Sequence, residues 1–210
     1  MSNKWFKDAR IYHIYTPSFY DGNGDGIGDL AGIAEKLDYV ADLGFNTIWL
    51  SPFFTSPFQD GGYDIADYKS IDARFGDMDD FEMLVQKAKR LNIRILLDLV
   101  IGHTSDQHFW FKQSQKAERN KYSYFYHWSD NCFESTSGIS IKGLSERDGA
   151  YMVNFFAFQP ALNYGYERVD KESQMHYTDP RLKPLRDEIS DIMRFWLKRG
   201  ASGFRVDMAS

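Results

Sequence analysis

The sequence is poor in cysteine, in long apolar runs and in basic charge, and each shortage excludes a class of protein. Its one cysteine, Cys132, cannot form an internal disulfide, which fits a reducing compartment and predicts a cytoplasmic location. The opening residues MSNKWFKDARIYHIY hold no long apolar run, so we expect neither a signal peptide nor a membrane-spanning helix. Lys and Arg number 25 against 30 Asp and Glu, and this net charge of -5 argues against a nucleic-acid-binding surface.

What the sequence does contain is typical of an ordinary globular protein, neither disordered nor fibrous. It has 210 residues, of which 43% are hydrophobic and 26% charged, so it can bury a sizeable core. Aromatic residues reach 17%. They fill a large core or line a sugar site, where rings pack on the apolar faces of pyranoses, and composition alone favours the core.

Short apolar runs alternate with longer segments of helical period, which predicts strand-helix units and a parallel sheet. The predicted strands cover residues 11–15, 46–50, 94–100 and 204–206. The predicted helices cover residues 30–41, 79–91 and 185–197. We expect acidic residues at 77, 79 and 80 to cap the second helix, because carboxylates bind the free amides of a helix start.

Residues 104–179 show no helical or alternating period, and a structureless connection of that length is uncommon in a domain. We therefore predict three parts: strands one to three with helices one and two in 1–103, an inserted subdomain in 104–179, and helix three with strand four in 180–210. Four strand-helix units make the N-terminal half of a (β/α)8 TIM barrel, an α/β fold. Half a barrel leaves two sheet edges open, so we expect the chain to be a fragment. A complete open-sheet protein is the alternative, and it would need a segment that covers strand four.

The segment DGNGDGIGD places side-chain oxygens at close, regular intervals, with glycines that let the loop turn. Such a set of hard oxygen ligands suits Ca²⁺. A helix-loop-helix calcium hand would need an acid at Gly32, so that version is excluded. The alternative is a turn that only caps the first helix. The expected ligands are the side chains of Asp21, Asn23, Asp25 and Asp29 and the carbonyl of Ile27.

Four polar residues lie in or just after the third and fourth strands, where a parallel barrel carries its functional groups. His103 follows strand three, although a single histidine there is more often structural. Asp98 lies inside the apolar run, where a carboxylate is costly unless it is hydrogen-bonded or paired. Arg205 and Asp207 are two apart, hence on one face of strand four. The arginine would keep a nucleophilic Asp207 ionised, and a structural salt bridge is an equal alternative.

These motifs, in this order, resemble the α-amylase superfamily of α-retaining glycoside hydrolases and transglycosylases. The resemblance covers essentially the whole chain, through IYHIYTPSF, DLVIGH, QPALN at 159–163 and GFRVD. The stretches DGNGDGIGD and QDGGYDIADY are most similar to the exo-acting α-glucosidase branch, which includes oligo-1,6-glucosidases, trehalose synthase and sucrose-converting relatives. An α-glucosidic oligosaccharide or disaccharide is therefore the expected partner.

The resemblance also implies a role for each residue of the site. Asp207 would be the nucleophile that forms the covalent glycosyl intermediate, Arg205 would orient and ionise it, and Asp98 would support the site without contacting the sugar. The sugar would be bound by three further side chains. These are His103 on a hydroxyl, Tyr63 beneath the ring and Asp60 at the non-reducing end.

Three positions depart from the family pattern. Gly102 stands where the family usually has Asn, and Ala161 stands where it has Asp, so we expect no second calcium at the inserted subdomain. Met208 after the nucleophile leaves the linkage preference open. The family pattern puts the acid/base Glu beyond Ser210, so we expect residues 1–210 alone to have negligible activity.

Two alternatives come from other classes of protein. A sugar-binding barrel that has lost its chemistry, as in membrane-tethered relatives, is disfavoured because Asp207, Arg205, His103 and Tyr63 are all present. A plain calcium-binding module would leave these strand-end residues unexplained.

Overall fold

A computed structural model describes residues 4–208 as eight strands, five α-helices and two 3-10 turns. The strands are β1 (Ile11–Ile14), β2 (Thr47–Leu50), β3 (Phe54–Thr55), β4 (Asp67–Ile71), β5 (Arg94–Val100), β6 (Ser140–Lys142), β7 (Ala150–Met152) and β8 (Gly203–Asp207). The helices are α1 (Thr16–Phe19), α2 (Leu30–Asp42), α3 (Met78–Arg90), α4 (Phe109–Ser114) and α5 (Lys183–Lys198). No helix in this part of the chain is both long and apolar enough to cross a membrane.

The main sheet has the strand order β1-β2-β5-β8. β1 pairs with β2, and β2 with β5, in parallel, with Thr47 opposite both Ile11 and Arg94. Residues 95–100 of β5 are all buried, which is why this strand is a nearly unbroken apolar run in the sequence, interrupted only by Asp98. The four strands are the four predicted from sequence, and their limits differ from the prediction by one residue at most.

The starts of α2 and α3 are capped by aspartates. Asp29 accepts a hydrogen bond from the Gly32 amide at 2.6 Å and is the N-cap of α2, which is the geometry of the alternative in which the loop caps this helix. Asp77 caps α3 in a capping box, with its own amide donating to Asp80. Both helices bury the apolar face predicted for them, and they pack against each other.

The structure contains short elements that sequence reasoning did not find. β3 and β4 form a two-stranded sheet, β6 and β7 form another, and α4 has six residues. Segments this short are too brief to show a helical or alternating period, so the sequence does not predict them as helices or strands. Within 104–179 the elements enclose an aromatic cluster, in which Phe111 lies 5.0 Å from the Tyr126 ring and 4.9 Å from the Tyr151 ring. Much of the aromatic content therefore fills the core.

The described chain divides into two compact units. The first contains residues 4–55, 68–99 and 194–206, and the second contains 56–67, 100–193 and 207–208. The first holds most of the main sheet with α2 and α3, and the second holds α4, β6 and β7. Residues 104–179 lie within the second unit, and their separation as an inserted subdomain with those limits stays a prediction.

Candidate active site

The loop that carries Asp60 and Tyr63 is organised by Asp64, whose residue surface is completely buried. The Asp64 carboxylate accepts a hydrogen bond from the Ser56 hydroxyl at 2.9 Å, from the Gln59 amide at 2.9 Å and from the Asp60 amide at 3.1 Å. A buried carboxylate needs such donors. Asp64 therefore fixes the backbone from which the Asp60 side chain projects.

Asp60 and Tyr63 are joined by a tight turn. The Tyr63 amide donates to the Asp60 carbonyl at 2.9 Å, and the two intervening residues have φ values of 58° and 99°. Residues with side chains rarely adopt such positive φ, and both positions are glycine, Gly61 and Gly62. The GG pair in QDGGYD therefore makes the turn that brings Tyr63 back beside Asp60.

His103 is 1% exposed and is held through both ring nitrogens. Nε2 lies 3.2 Å from the Tyr63 carbonyl oxygen, and Nδ1 lies 3.2 Å from the Asn154 amide nitrogen. That amide also donates to the Gly102 carbonyl at 3.0 Å, so its nitrogen, not its oxygen, faces His103. Because a carbonyl can only accept, we infer that Nε2 carries the proton and that Nδ1 accepts from Asn154.

The electrostatics of the site favour a neutral His103. Burial lowers the pKa of His103, and this is the largest effect. The Tyr63 carbonyl and the charges of Asp207, Asp60 and Asp64 act in the opposite direction, without reversing the result. The charge of Asp207 is thus felt at the same imidazole as the charges of the Asp60 loop. The Tyr63 carbonyl and the charges of Asp60 and Asp207, all in the second unit, therefore act on the pKa of the same ring, that of His103.

Gln159 is a residue of the site that sequence reasoning quoted within a motif without giving it a role. It is fully buried, and its amide nitrogen donates to the Asp60 carboxylate at 2.7 Å. Its Oε1 is buried without a hydrogen-bond partner among the described residues. Gln159 therefore holds the Asp60 carboxylate in one orientation. The only sequence signal was its place at the start of QPALN.

A cavity of about 670 Å³ opens in the second unit, and it is lined by neighbours of His103 and Asp207, not by the side chains predicted to attack or bind the sugar. Its lining includes Asn154 and Phe155, which contact the His103 ring. It also includes Gly102, which precedes His103 in the sequence, and Met208, which follows Asp207. Met208 has a φ of 47°, a left-handed conformation that is unusual for a side chain of this size. The volume lies within the range of about 300–1,000 Å³ typical of small-molecule sites.

Asp98 and Arg205 form an ion pair in the first unit. The guanidinium Nη1 of Arg205 lies 3.0 Å from Oδ1 and 3.2 Å from Oδ2 of Asp98, and the Trp49 indole donates to Oδ2 at 3.1 Å. The Asp98 side chain is 0% exposed, so these donors offset the cost of burying it, as the sequence required. Arg205 also lies over the Trp49 ring, 4.7 Å from its centroid.

His13 extends this cluster, and the sequence-based prediction of site residues did not include it. Its ring stacks on Trp49 at 3.8 Å, and its Nε2 lies 2.8 Å from the Ser51 hydroxyl. Burial lowers the pKa of His13, Asp98 opposes that effect, and Arg205 adds to it. His13 is therefore a neutral ring that positions Trp49. The signal was its place one residue before the end of β1.

The loop predicted to bind calcium is folded by its own amides. Asp21 accepts from the Gly24 amide at 2.6 Å and from the Gly26 amide at 2.7 Å, and these bonds lower its pKa, with Gly26 the largest cause. Asn23 and Asp25 each accept an amide from two residues further on. The oxygen donors fit Ca²⁺ chemically, and each keeps lone pairs beyond those that the amides use. Among residues 4–208, no three acidic, His or Cys side chains converge closely enough to hold a metal.

Residues 13–210 match the family described as alpha-amylase, catalytic domain. The chain belongs to the α-amylase family. Glucan 1,6-alpha-glucosidase of Streptococcus pneumoniae is 42% identical over 211 residues, which cover 99% of this chain and 36% of the relative. Oligo-1,6-glucosidase of Heyndrickxia coagulans is 42% identical over 214 residues, which cover 98% of this chain and 36% of the relative.

Solved structures of the α-amylase family show the same fold. Trehalose-6-phosphate hydrolase of Bacillus licheniformis matches with a TM-score of 0.82 and 36% identity, over 98% of this chain and 36% of that one. Isomaltulose synthase of Erwinia rhapontici, solved with sucrose, matches with a TM-score of 0.81 and 39% identity, over 99% of this chain and 36% of that one.

The α-amylase family assignment confirms two predictions, the exo-acting α-glucosidase branch and the N-terminal half of a TIM barrel. The chain spans about a third of the length of these relatives. The roles assigned to Asp207, Arg205, His103, Tyr63 and Asp60 stay predictions, and the structure supplies the geometry on which they can be judged.

Proposed function

We propose that the protein to which this chain contributes is an α-glycoside hydrolase that acts on α-glucosidic oligosaccharides or disaccharides with retention of configuration. One observation carries the proposal. The buried imidazole of His103 lies 3.2 Å from the Tyr63 carbonyl in the loop that carries Asp60, and the negative charge of Asp207 acts to raise its pKa against the effect of burial. A nucleophile, a neutral hydrogen-bonding ring, a phenol and a sugar-gripping carboxylate would supply the attack and the sugar contacts of such a site, which also needs a separate acid/base carboxyl group.

In the proposed first step, Asp207 attacks the anomeric carbon while the bond to the leaving oxygen breaks and that oxygen takes a proton. In the second step, water attacks the glycosyl ester and returns the carboxylate. A second carboxyl group, about 5–5.5 Å from the first, must give the proton and later accept one from water. We propose that the whole protein supplies that group from outside these 210 residues.

The surrounding side chains would select and hold the sugar. Asp60, fixed by Gln159, would accept hydrogen bonds from hydroxyls at the non-reducing end, which favours attack on terminal sugars. Tyr63 would pack beneath the ring. His103 would bind a further hydroxyl, and Arg205, anchored on Asp98, would help to keep Asp207 ionised.

An aryl α-glucoside tests the proposal directly. We expect the whole protein to hydrolyse it and to release α-glucose first, as followed by proton NMR of the anomeric signals. The 210-residue chain should have negligible activity at the same concentration, because general acid-base help alone contributes about 10²–10⁴-fold. Release of β-glucose first, or equal activity of the two chains, would refute the proposal.

Transfer of the glucosyl group is the second candidate, because a matched structure is an isomaltulose synthase solved with sucrose. Hydrolysis, transfer and isomerisation share the same glycosyl intermediate and differ in the acceptor that reaches it. Incubation with sucrose distinguishes them: glucose and fructose in equal amounts indicate hydrolysis, whereas a new disaccharide indicates isomerisation.

We also propose that Asp21, Asn23, Asp25, Asp29 and the Ile27 carbonyl bind Ca²⁺. Calcium at about a hundred times its Kd would add about 2.7 kcal/mol to the free energy of unfolding, and the melting temperature should rise accordingly. The Asp25→Ala variant should lose this rise, whereas Asp79→Ala, at the exposed start of α3, should keep it. An equal rise in both variants, or none in the parent, would leave the loop as a helix cap. A cytoplasmic location likewise stays a prediction from the single cysteine.

A further inference from the structure

A second cavity, of about 150 Å³, lies in the second unit, and none of the residues predicted to form the active site lines it. Three arginines line it, Arg119, Arg147 and Arg181, together with two acids, Asp130 and Glu172. Basic side chains thus outnumber acidic ones in its wall. The proposed glycosidase chemistry uses none of these five residues.

Arg147 is the buried member of this set, with 8% of its surface exposed. Its Nη1 donates to the Ser123 carbonyl at 2.9 Å and weakly to the Ser114 carbonyl at 3.4 Å, and its guanidinium lies 4.2 Å from the centroid of the Trp128 ring. All three partners are uncharged. Its Nε is buried without a hydrogen-bond partner within residues 4–208. A buried charge is normally paired, because leaving it uncompensated is costly.

The neighbouring charge of Arg119 adds to the cost of burying Arg147. The pKa of Arg147 falls to about 10, first because of burial and then because of the positive charge of Arg119. Asp130 acts in the opposite direction with the smaller effect. Arg181 is held at the cavity by a two-point ion pair with Asp179, at 2.7 and 3.0 Å. Asp179 thus compensates the charge of Arg181, and Arg147 is the buried guanidinium of the wall that contacts no acid among the described residues.

We propose that this cavity binds a small tetrahedral oxyanion, either free phosphate or the phosphoryl group of a phosphorylated sugar. Guanidinium groups match phosphate oxygens in charge and in two-point geometry. The volume corresponds to roughly five waters at about 30 Å³ each, which is enough for a phosphate group and part of its hydration shell. The Tyr124 and Trp128 rings, against which the three guanidinium groups pack, keep these groups in place.

Titration of the purified protein with inorganic phosphate tests the site, with sodium chloride at equal ionic strength as the reference. The readout is the ¹⁵N–¹H correlation signal of the Arg147 Nε group, which is assigned by its absence from the Arg147→Met spectrum. We expect this signal to shift and to saturate with phosphate and with sulfate, and not with chloride. In Arg147→Met, phosphate affinity measured by calorimetry should fall about tenfold or more, since a charge-assisted hydrogen bond is lost.

A titration with glucose 6-phosphate under the same conditions distinguishes free phosphate from a phosphorylated sugar as the ligand. Affinity at least tenfold above that of phosphate identifies a phosphorylated sugar, and equal affinity identifies free phosphate. Two further variants keep the test valid if Arg147→Met does not fold. Arg119→Gln, at an exposed wall position, should weaken phosphate binding several-fold, whereas Arg168→Gln, an exposed arginine outside the wall, should not. Equal responses to phosphate and chloride, or unchanged affinity in Arg119→Gln, would overturn the proposal.

Discussion

Replacing Asp207 by alanine in the whole protein is expected to lower kcat for an aryl α-glucoside by about 10⁴-fold or more, as loss of a catalytic nucleophile does in other enzymes. The physical reason is the loss of the covalent intermediate, because no other group would be positioned to attack the anomeric carbon. Binding of the sugar through Asp60 and Tyr63 should be largely retained.

Azide distinguishes this loss from simple damage to the site. In Asp207→Ala it can enter the space of the missing carboxylate, attack the anomeric carbon from that side and give the β-glucosyl azide of inverted configuration. The Asp170→Asn variant, which changes an exposed carboxylate of the same unit, should keep the parent activity. Full activity of Asp207→Ala, or recovery by azide with the α-azide as product, would contradict the assignment.

Breaking the Asp98–Arg205 pair should have the largest effect on stability. Arg205→Met leaves a fully buried carboxylate without its cation, and removal of one partner of a buried pair costs about 3–5 kcal/mol in the free energy of unfolding. Asp98→Asn leaves a guanidinium whose side chain is 36% exposed and can be hydrated, so we expect a smaller cost, about 1–2 kcal/mol. Urea unfolding of the same protein measures both.

The asymmetry between these two variants is the informative result. Asp42→Asn, an exposed carboxylate at the end of α2, is the control and should change stability by less than about 0.5 kcal/mol. If Asp98→Asn lowers the free energy of unfolding as much as Arg205→Met does, then hydration of the exposed part of Arg205 does not compensate for the loss of its partner. If both match the control, the pair contributes nothing to the fold.

The long helices and strands were predictable because their buried apolar side chains recur in a regular pattern over many residues. α2 and α3 each have 13 residues, and β5 has seven with nearly all side chains buried, so period and apolar content both gave clear signals. The caps were predictable for the same local reason, since Asp29 and Asp77 bind amides within three residues. The buried Asp98 required partners, and the structure supplies Arg205 and Trp49.

Contacts between distant segments were not predictable from the sequence alone. Gln159 reaches Asp60 across 99 positions, and Asn154 reaches His103 across 51, and neither pair lies within a periodic segment. Spacing in the sequence put Arg205 beside Asp207, but it could not show that Arg205 also reaches Asp98, 107 positions away, at hydrogen-bonding distance. The action of Arg205 on Asp207 therefore stays a prediction.

A glucosyl group bound covalently to Asp207 is the most direct test of the proposed chemistry. A 5-fluoro-α-glucosyl fluoride forms the intermediate and slows its hydrolysis, because fluorine disfavours the oxocarbenium-like transition state. Mass spectrometry of peptides from the treated whole protein should find one fluoroglucosyl group, on the Asp207 carboxylate. A label on another carboxylate, or no label while substrate is consumed with inversion, would contradict Asp207 as the nucleophile.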